Sequence, residues 1–242
     1  MKVTIPMASY QSKSFLKQSM TSVAIQSYTN WELIIVDDAS TDGSLNIARQ
    51  IAKELGIMDK TKFLVNSKNH GYGYTLRRAI AEGDGEIIAI VDSDDAINKS
   101  RALKTIVSMH KAHPEAVMVY TDHWECNAKL KKEKKFLTRQ MKPGETMLNG
   151  DVKIRHWKTF KRSFYDMTDG VSDVLRQTVD KDLVFKLEEV GPSIHIPECL
   201  YLYRKHNDNL TRSTRRKPKE YRKWIKKMRN QIYTDAKERR SK

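Results

Sequence analysis

Cysteine is nearly absent: the 242-residue chain carries two, Cys126 and Cys199. That excludes a disulfide framework and, with it, the small secreted scaffolds that depend on one. Long apolar runs are also lacking. The longest, residues 87–91, falls far short of the ~20 residues that cross a bilayer. At the N-terminus Pro6 arrives before a signal-peptide stretch can build. These absences predict a soluble, reduced, cytoplasmic protein. Phosphate-cradling glycine motifs are missing as well. No Gly-x-Gly-x-x-Gly follows the first strand-like run, and no glycine-rich loop ends in Gly-Lys-Ser/Thr. There is no internal repeat. With 39% hydrophobic and 31% charged residues the chain has enough apolar surface for a core and is not of disordered composition.

What the chain has in excess is positive charge, a net +15 that is unevenly placed. Residues 211–242 hold 14 Lys/Arg against Glu220, Asp235 and Glu238, and residues 129–142 hold seven against Glu133. The rest of the chain is left at about −2, close to neutral. In the tail, Tyr221, Trp224, Ile225, Met228 and Ile232 recur at helical spacing, with Pro218 placed for a first turn. A basic amphipathic helix of this kind can lie on an anionic membrane surface, peripheral to it, or dock its apolar stripe on the body and turn its charges to water.

The first half alternates strand-like and helix-like segments. Val3-Thr4-Ile5, Leu33-Ile34-Ile35-Val36, Phe63-Leu64-Val65, residues 87–91 and residues 116–120 read as strands. Helical periodicity fills 16–25, 45–55, 74–82 and 101–110, the second capped by Ser40 or Thr41 and ended by Gly56. This spacing predicts an α/β domain with a mostly parallel sheet flanked by helices. Beyond about residue 124 the alternation breaks, and residues 171–190 read as a helix. The chain divides on this reading into 1–125, the alternating half, 126–210, an elaboration of the same domain, and 211–242, the basic tail.

Open parallel sheets bind ligands at the carboxyl ends of their strands. Asp37-Asp38 follows one buried strand and Asp92-Ser93-Asp94-Asp95 another, 55 residues later. If the strands are neighbours, five carboxylates converge, an arrangement that is costly without a cation or hydrogen-bond donors. Mn²⁺ or Mg²⁺ bridging a diphosphate fits such a rim. Helix capping would explain Asp42, Asp95 and Asn98 equally well. Gly71-Tyr72-Gly73 serves either close backbone approach or a helix start. Of Arg77 and Arg78, one is expected to meet the diphosphate and the other to face water.

Val3-Thr4-Ile5-Pro6-Met7-Ala8-Ser9-Tyr10, the string from Trp31 through Asp37-Asp38-Ala39-Ser40-Thr41-Asp42-Gly43, and Gly85 through Asp92-Ser93-Asp94-Asp95 together resemble family 2 glycosyltransferases. The resemblance is dense over residues 3–95 and thinner to about 210. It implies a GT-A fold and an inverting, metal-dependent transfer of a sugar from a nucleotide diphosphate donor, a UDP-sugar first among them. By position it implies Asp38 at the base of the donor, Asp92 at its ribose and Asp94 on the metal. Pro6, Ala8 and Tyr10 would wall the nucleoside, with Asp37, Arg77 and Ser93 in the same nucleotide-sugar site. Val179-Asp180-Lys181-Asp182-Leu183 is similar to the family's Glu-Asp-x-Asp-Leu segment, which makes Asp180 the catalytic base, although Val179 replaces the Glu. The run from Leu202 to Leu210 resembles the closing Tyr-Arg-x-His segment, with His206 implied at the metal or diphosphate and Arg204 at the phosphates.

Two other classes stay open on the residues alone. A sugar-1-phosphate nucleotidyltransferase would share the sheet, the acidic residues and Mg²⁺, but it needs an Arg-containing glycine loop after the first strand. A basic nucleic-acid-binding protein without catalysis would explain the charge and leave the acidic strand ends unexplained. The acceptor, anionic or membrane-borne by the charge argument, is not specified, nor is the oligomeric state.

Overall fold

The computed structural model describes residues 1–209, 214 and 216–241. Leu210, which closes the Tyr-Arg-x-His segment, and Thr211, where the basic tail begins, lie outside the described residues. The apolar runs form the strands expected of them. Elements β1 (Val3–Ser9), β2 (Trp31–Asp37), β3 (Thr61–Val65) and β4 (Ile87–Ala89) run parallel in the order β3-β2-β1-β4. Between them lie α1 (Leu16–Ala24), α2 (Ser44–Glu54) and α3 (Tyr72–Ala81).

The continuous apolar runs are explained by burial on both faces. From β1 and β2, Val3, Ile5, Met7, Leu33 and Ile35 pack with Leu16, Met20 and Val23 of α1. Ile34 and Val36 face the other way, against Ala79 of α3. Each such side chain, withdrawn completely from water, contributes about 1.5–3 kcal/mol.

The sheet continues as β5 (Ala96–Ile97), β6 (Met118–Cys126), β7 (Lys132–Phe136), β8 (Lys158–Lys161) and β9 (Ser193–Arg204), with α4 (Ala102–Ala112), α5 (Arg162–Tyr165), α6 (Val179–Glu188) and α7 (Lys219–Arg240). β8 is inserted antiparallel between β4 and β6, β9 runs parallel to β6, and β5 pairs antiparallel with β9. The nine-stranded sheet is thus parallel through its first half and mixed through its second.

Two sequence expectations need correction. The helix over 171–190 begins only at Val179, after Thr178 in a left-handed conformation (φ 62°). The preceding loop runs against α3 instead, where a Cβ on Gly73 would stand 2.2 Å from the Ser172 carbonyl oxygen. Gly73 therefore serves close backbone approach and the start of α3 together. The cap of α2 is Gly43 (φ 83°), not Ser40 or Thr41, because Asp42 Oδ1 already accepts the Ser44 N–H at 2.9 Å.

Helix α7 docks its apolar stripe. Ile232 and Ala236 are buried against Phe185 of α6, and the Tyr233 ring meets Phe185 edge-on at 5.0 Å. Lys181 Nζ donates to the Tyr233 hydroxyl at 3.0 Å, Arg240 donates to Glu188 at 3.2 Å, and Arg239 pairs with Glu189 at 2.8 Å. Partners advance along both helices in the same direction, so α6 and α7 pack parallel.

Candidate active site

The acidic clusters meet because β1 lies between β2 and β4, and their carboxyl ends share one rim. Asp37 and Asp38 end β2, and both are buried. Asp37 Oδ1 accepts the Ser40 N–H at 2.8 Å, while its Oδ2 is buried without a hydrogen-bond partner among the described residues. Both oxygens of Asp38 are occupied: Oδ1 accepts from Asn66 Nδ2 (2.7 Å) and the His70 N–H (2.9 Å), Oδ2 from the Gly71 N–H (2.8 Å). Asp38 thus fixes the loop between β3 and α3. Beside it, Pro6 lies within β1, Ala8 near its end, and the Tyr10 ring beyond it is exposed.

The second cluster is stacked from buried to open. Asp92 Oδ1 accepts the Tyr72 hydroxyl at 2.7 Å, and its backbone N–H donates to the Tyr201 hydroxyl at 3.1 Å. Burial, then the charge of Asp94, push the Asp92 carboxyl up to about 6; the Tyr72 bond and Lys158 oppose the rise, and Asp180 adds to it. Burial and the same carboxylates hold the Tyr72 phenol well above its ordinary value. Ser93 Oγ shares a 2.7 Å hydrogen bond with Ser12 Oγ.

Asp94 is the member open to the cleft, with 27% of its side chain exposed. Its Oδ2 accepts from His206 Nε2 at 2.8 Å and Asn209 Nδ2 at 3.0 Å. The Asp208 N–H points to His206 Nδ1 at 3.3 Å, which assigns the ring proton to Nε2. Asp95 lies beneath, one oxygen accepting the Arg204 backbone N–H at 2.7 Å and the other without a partner among the described residues.

Across the cleft, Asp180 stands in the first turn of α6, where the helix dipole favours a carboxylate. Its side chain is half-exposed and lies 3.7 Å from the Nζ of Lys158, a nearly buried lysine on β8. Lys158 and Asp180 both act on the Asp92 carboxyl, so base candidate, lysine and acidic loop share one electrostatic site.

A hard divalent cation fits this set. Carboxylate oxygen and imidazole nitrogen are suitable donors, and the crowding that lifts Asp92 is what a cation relieves. A second group, Asp92, Asp95 and His156, brings its donor atoms within 4.8 Å of one another. Burial drives His156 well below and Asp95 well above their ordinary values, so those two favour their uncharged forms. His156 is stacked on Tyr201 at 5.0 Å and on Tyr203 at 5.2 Å, a packed support under the loop.

A family model described as Glycosyl transferase family 2 matches residues 4–167. The chain belongs to that family. The "Putative glycosyltransferase EpsE" of Bacillus subtilis (strain 168) is 30% identical over 214 residues, 87% of this chain and 76% of that protein. Among solved structures, Staphylococcus aureus TarS in complex with UDP-GlcNAc superposes with a TM-score of 0.73 at 21% identity, over 85% of this chain and 59% of that one. The mannosyltransferase PcManGT from Pyrobaculum calidifontis, in complex with GDP-Man and Mn²⁺, gives 0.65 at 17%, over 86% and 58%. The chain therefore spans less than two thirds of either solved chain, and these likenesses establish the fold, which is GT-A. Family membership makes the protein a glycosyltransferase and sets aside the nucleotidyltransferase and the non-catalytic nucleic-acid binder. Among the described residues no helix is long and apolar enough to cross a membrane.

Two arginines of this glycosyltransferase stand elsewhere than expected. Arg204 is fully buried: Nε donates to the Asp94 carbonyl (2.5 Å) and Nη1 to Gln18 Oε1 and the Ala128 carbonyl (2.7 Å each), while Nη2 is buried without a hydrogen-bond partner among the described residues. It holds the acidic loop and has no open path to a phosphate. Arg77 is exposed and donates to the Val171 carbonyl at 3.2 Å. The inward face of α3 belongs to Leu76, Ala79 and Ile80, and Arg77 lies outside it. Arg78 donates to the Val65 carbonyl (2.8 Å) and Asn66 Oδ1 (2.7 Å). Tyr72, Lys158, His156, Tyr201 and Asn209 are site residues that sequence reasoning missed. Only Asn209 carried a signal, as part of the closing segment.

Proposed function

We propose that this glycosyltransferase moves a sugar, with inversion, from a nucleotide diphosphate donor to an acceptor hydroxyl, and that Asp180 is the base. The observation that carries the reading is the placement of Asp180. It is a half-exposed carboxylate at the mouth of the cleft, facing the acidic loop, with buried Lys158 beside it. The acceptor oxygen forms its bond to the anomeric carbon as the bond from that carbon to the diphosphate breaks. The bonding pair leaves with the diphosphate, and the acceptor proton passes to Asp180. Pro6, Ala8 and Tyr10 wall the nucleoside, Asp37 and Asp38 underlie it, and Asp92 with Ser93 takes the ribose.

Asp94 and His206 would hold Mn²⁺ or Mg²⁺, which neutralises charge on the leaving diphosphate when bound. Support for the donor class comes from the UDP-GlcNAc complex of TarS and the GDP-Man and Mn²⁺ complex of PcManGT. The test is Asp180→Asn: turnover of the cognate nucleotide sugar is expected to fall by ~10²–10⁴-fold with nucleotide affinity unchanged. Equal loss of turnover and nucleotide affinity would remove Asp180 from the role of base.

A further inference from the structure

We infer that the N-terminal half of α7 is a docking surface for an anionic membrane. Three features of that half carry the inference. The first is its charge. Lys219, Arg222, Lys223, Lys226, Lys227 and Arg229 are all exposed, against the single acidic Glu220. At 3.6 residues per turn the six fall within an arc of about 160°, and Ile225, Ile232 and Ala236 occupy a separate arc of about 40° that is buried. The apolar stripe is thus consumed by the protein, and what remains outward is a rigid cationic face.

The second is aromatic. Trp224 is 42% exposed, about 60° around the helix from the edge of the cationic arc, with the Tyr221 ring 5.5 Å away. An indole with an apolar body and a polar N–H beside lysines is suited to the headgroup level of a bilayer. An extended polyanion in water would use the lysines and leave this ring idle, which favours the lipid surface. Clusters of four to eight Lys/Arg on such a helix are the charge pattern that anionic headgroups attract.

The third is position. Because α6 and α7 run parallel and Lys181 already meets Tyr233, residues 219–230 extend past the N-terminal end of α6 by roughly 18 Å. That end carries Asp180. A membrane seated on this face therefore lies beside the acceptor side of the cleft, and a lipid-borne acceptor is the substrate it would present. This last clause rests on the proposed role of Asp180; the membrane contact does not, and it is measured without donor or acceptor.

The experiment is flotation of the full chain with vesicles of pure phosphatidylcholine or of phosphatidylcholine with phosphatidylglycerol, at low and high salt. Binding to the anionic vesicles alone is expected, with release at ~0.5 M salt. The triple variant Lys223→Gln, Lys226→Gln, Lys227→Gln should lose at least ~10-fold in affinity. Trp224→Ala should weaken vesicle binding and leave heparin binding unchanged, and thermal melts of all variants should match the parent. Failure to float with anionic vesicles, or equal binding by the triple variant, would overturn the inference. Vesicle binding indifferent to Trp224→Ala would reassign the face to soluble polyanions.

Discussion

Asp92 shows what the site costs the protein. Its carboxyl is raised from 3.8 to about 6, by burial first and then by the charge of Asp94. An acid raised on folding holds its proton more tightly folded than unfolded. Its favourable contribution is therefore complete below about 4 and is lost as pH rises through about 6. By pH 8 the ionised, partly buried Asp92 is a liability of at most about 3 kcal/mol. Asp92→Asn should accordingly melt several degrees above the parent at pH 8 and close to it at pH 4, while losing nucleotide binding. Melting curves at the two pH values decide this, and a variant less stable at pH 8 would contradict it. The residues of this loop were legible in the sequence because four polar residues follow an apolar run. Tyr72 and Lys158 were not. Nothing local distinguishes a tyrosine that opens a helix or a lysine within a β-strand. Their roles arise from contacts made across 20 residues in one case and 22 in the other.

At the scale of elements, β9 is the clamp. Its last residue, Arg204, ties the Asp94 carbonyl, Gln18 of α1 and the Ala128 carbonyl together, and its guanidinium covers the Phe15 ring at 4.9 Å. Removing one member of a buried, hydrogen-bonded charge network costs about 3–5 kcal/mol. Arg204→Ala should lower the melting temperature by roughly 10 °C, and Arg204→Lys, lacking the planar fork, should not restore it. A variant with unchanged melting would show that the buried contacts carry no stability. Helix α7 gives the opposite contrast along one element. Ile232→Ala opens a cavity against Phe185 and should cost about 2–4 kcal/mol, whereas substitution of exposed Lys226 should change stability by less than about 0.5 kcal/mol. Chemical denaturation of the two variants measures the difference directly. Of the parallel strands, β1, β2 and β4 were readable from sequence because each is buried on both faces, and β3 shows its short apolar run from the half-buried sheet edge. The insertion of β8 between β4 and β6 was not, since it joins segments some 70 residues apart whose local patterns are short. The late start of α6 is a similar case: helical spacing persists through 171–178, but the close pass at Gly73 goes with a bent, non-helical stretch there.

Over the whole molecule, charge is separated by function. Carboxylates gather at the carboxyl ends of the parallel strands, and the basic residues lie on the β6–β7 hairpin and on α7. The near-neutral body with an acidic cleft calls for a cation before a diphosphate can enter, since phosphate and carboxylate repel. Nucleotide binding should therefore depend on metal as a property of the folded protein, independent of any acceptor. Isothermal titration of UDP into the full chain tests this most directly, with Mn²⁺ and with EDTA, in parent and Asp94→Ala. Binding with Mn²⁺ is expected to weaken at least ~10-fold with EDTA and to a similar degree in Asp94→Ala. Equal UDP affinity in all four titrations would contradict it.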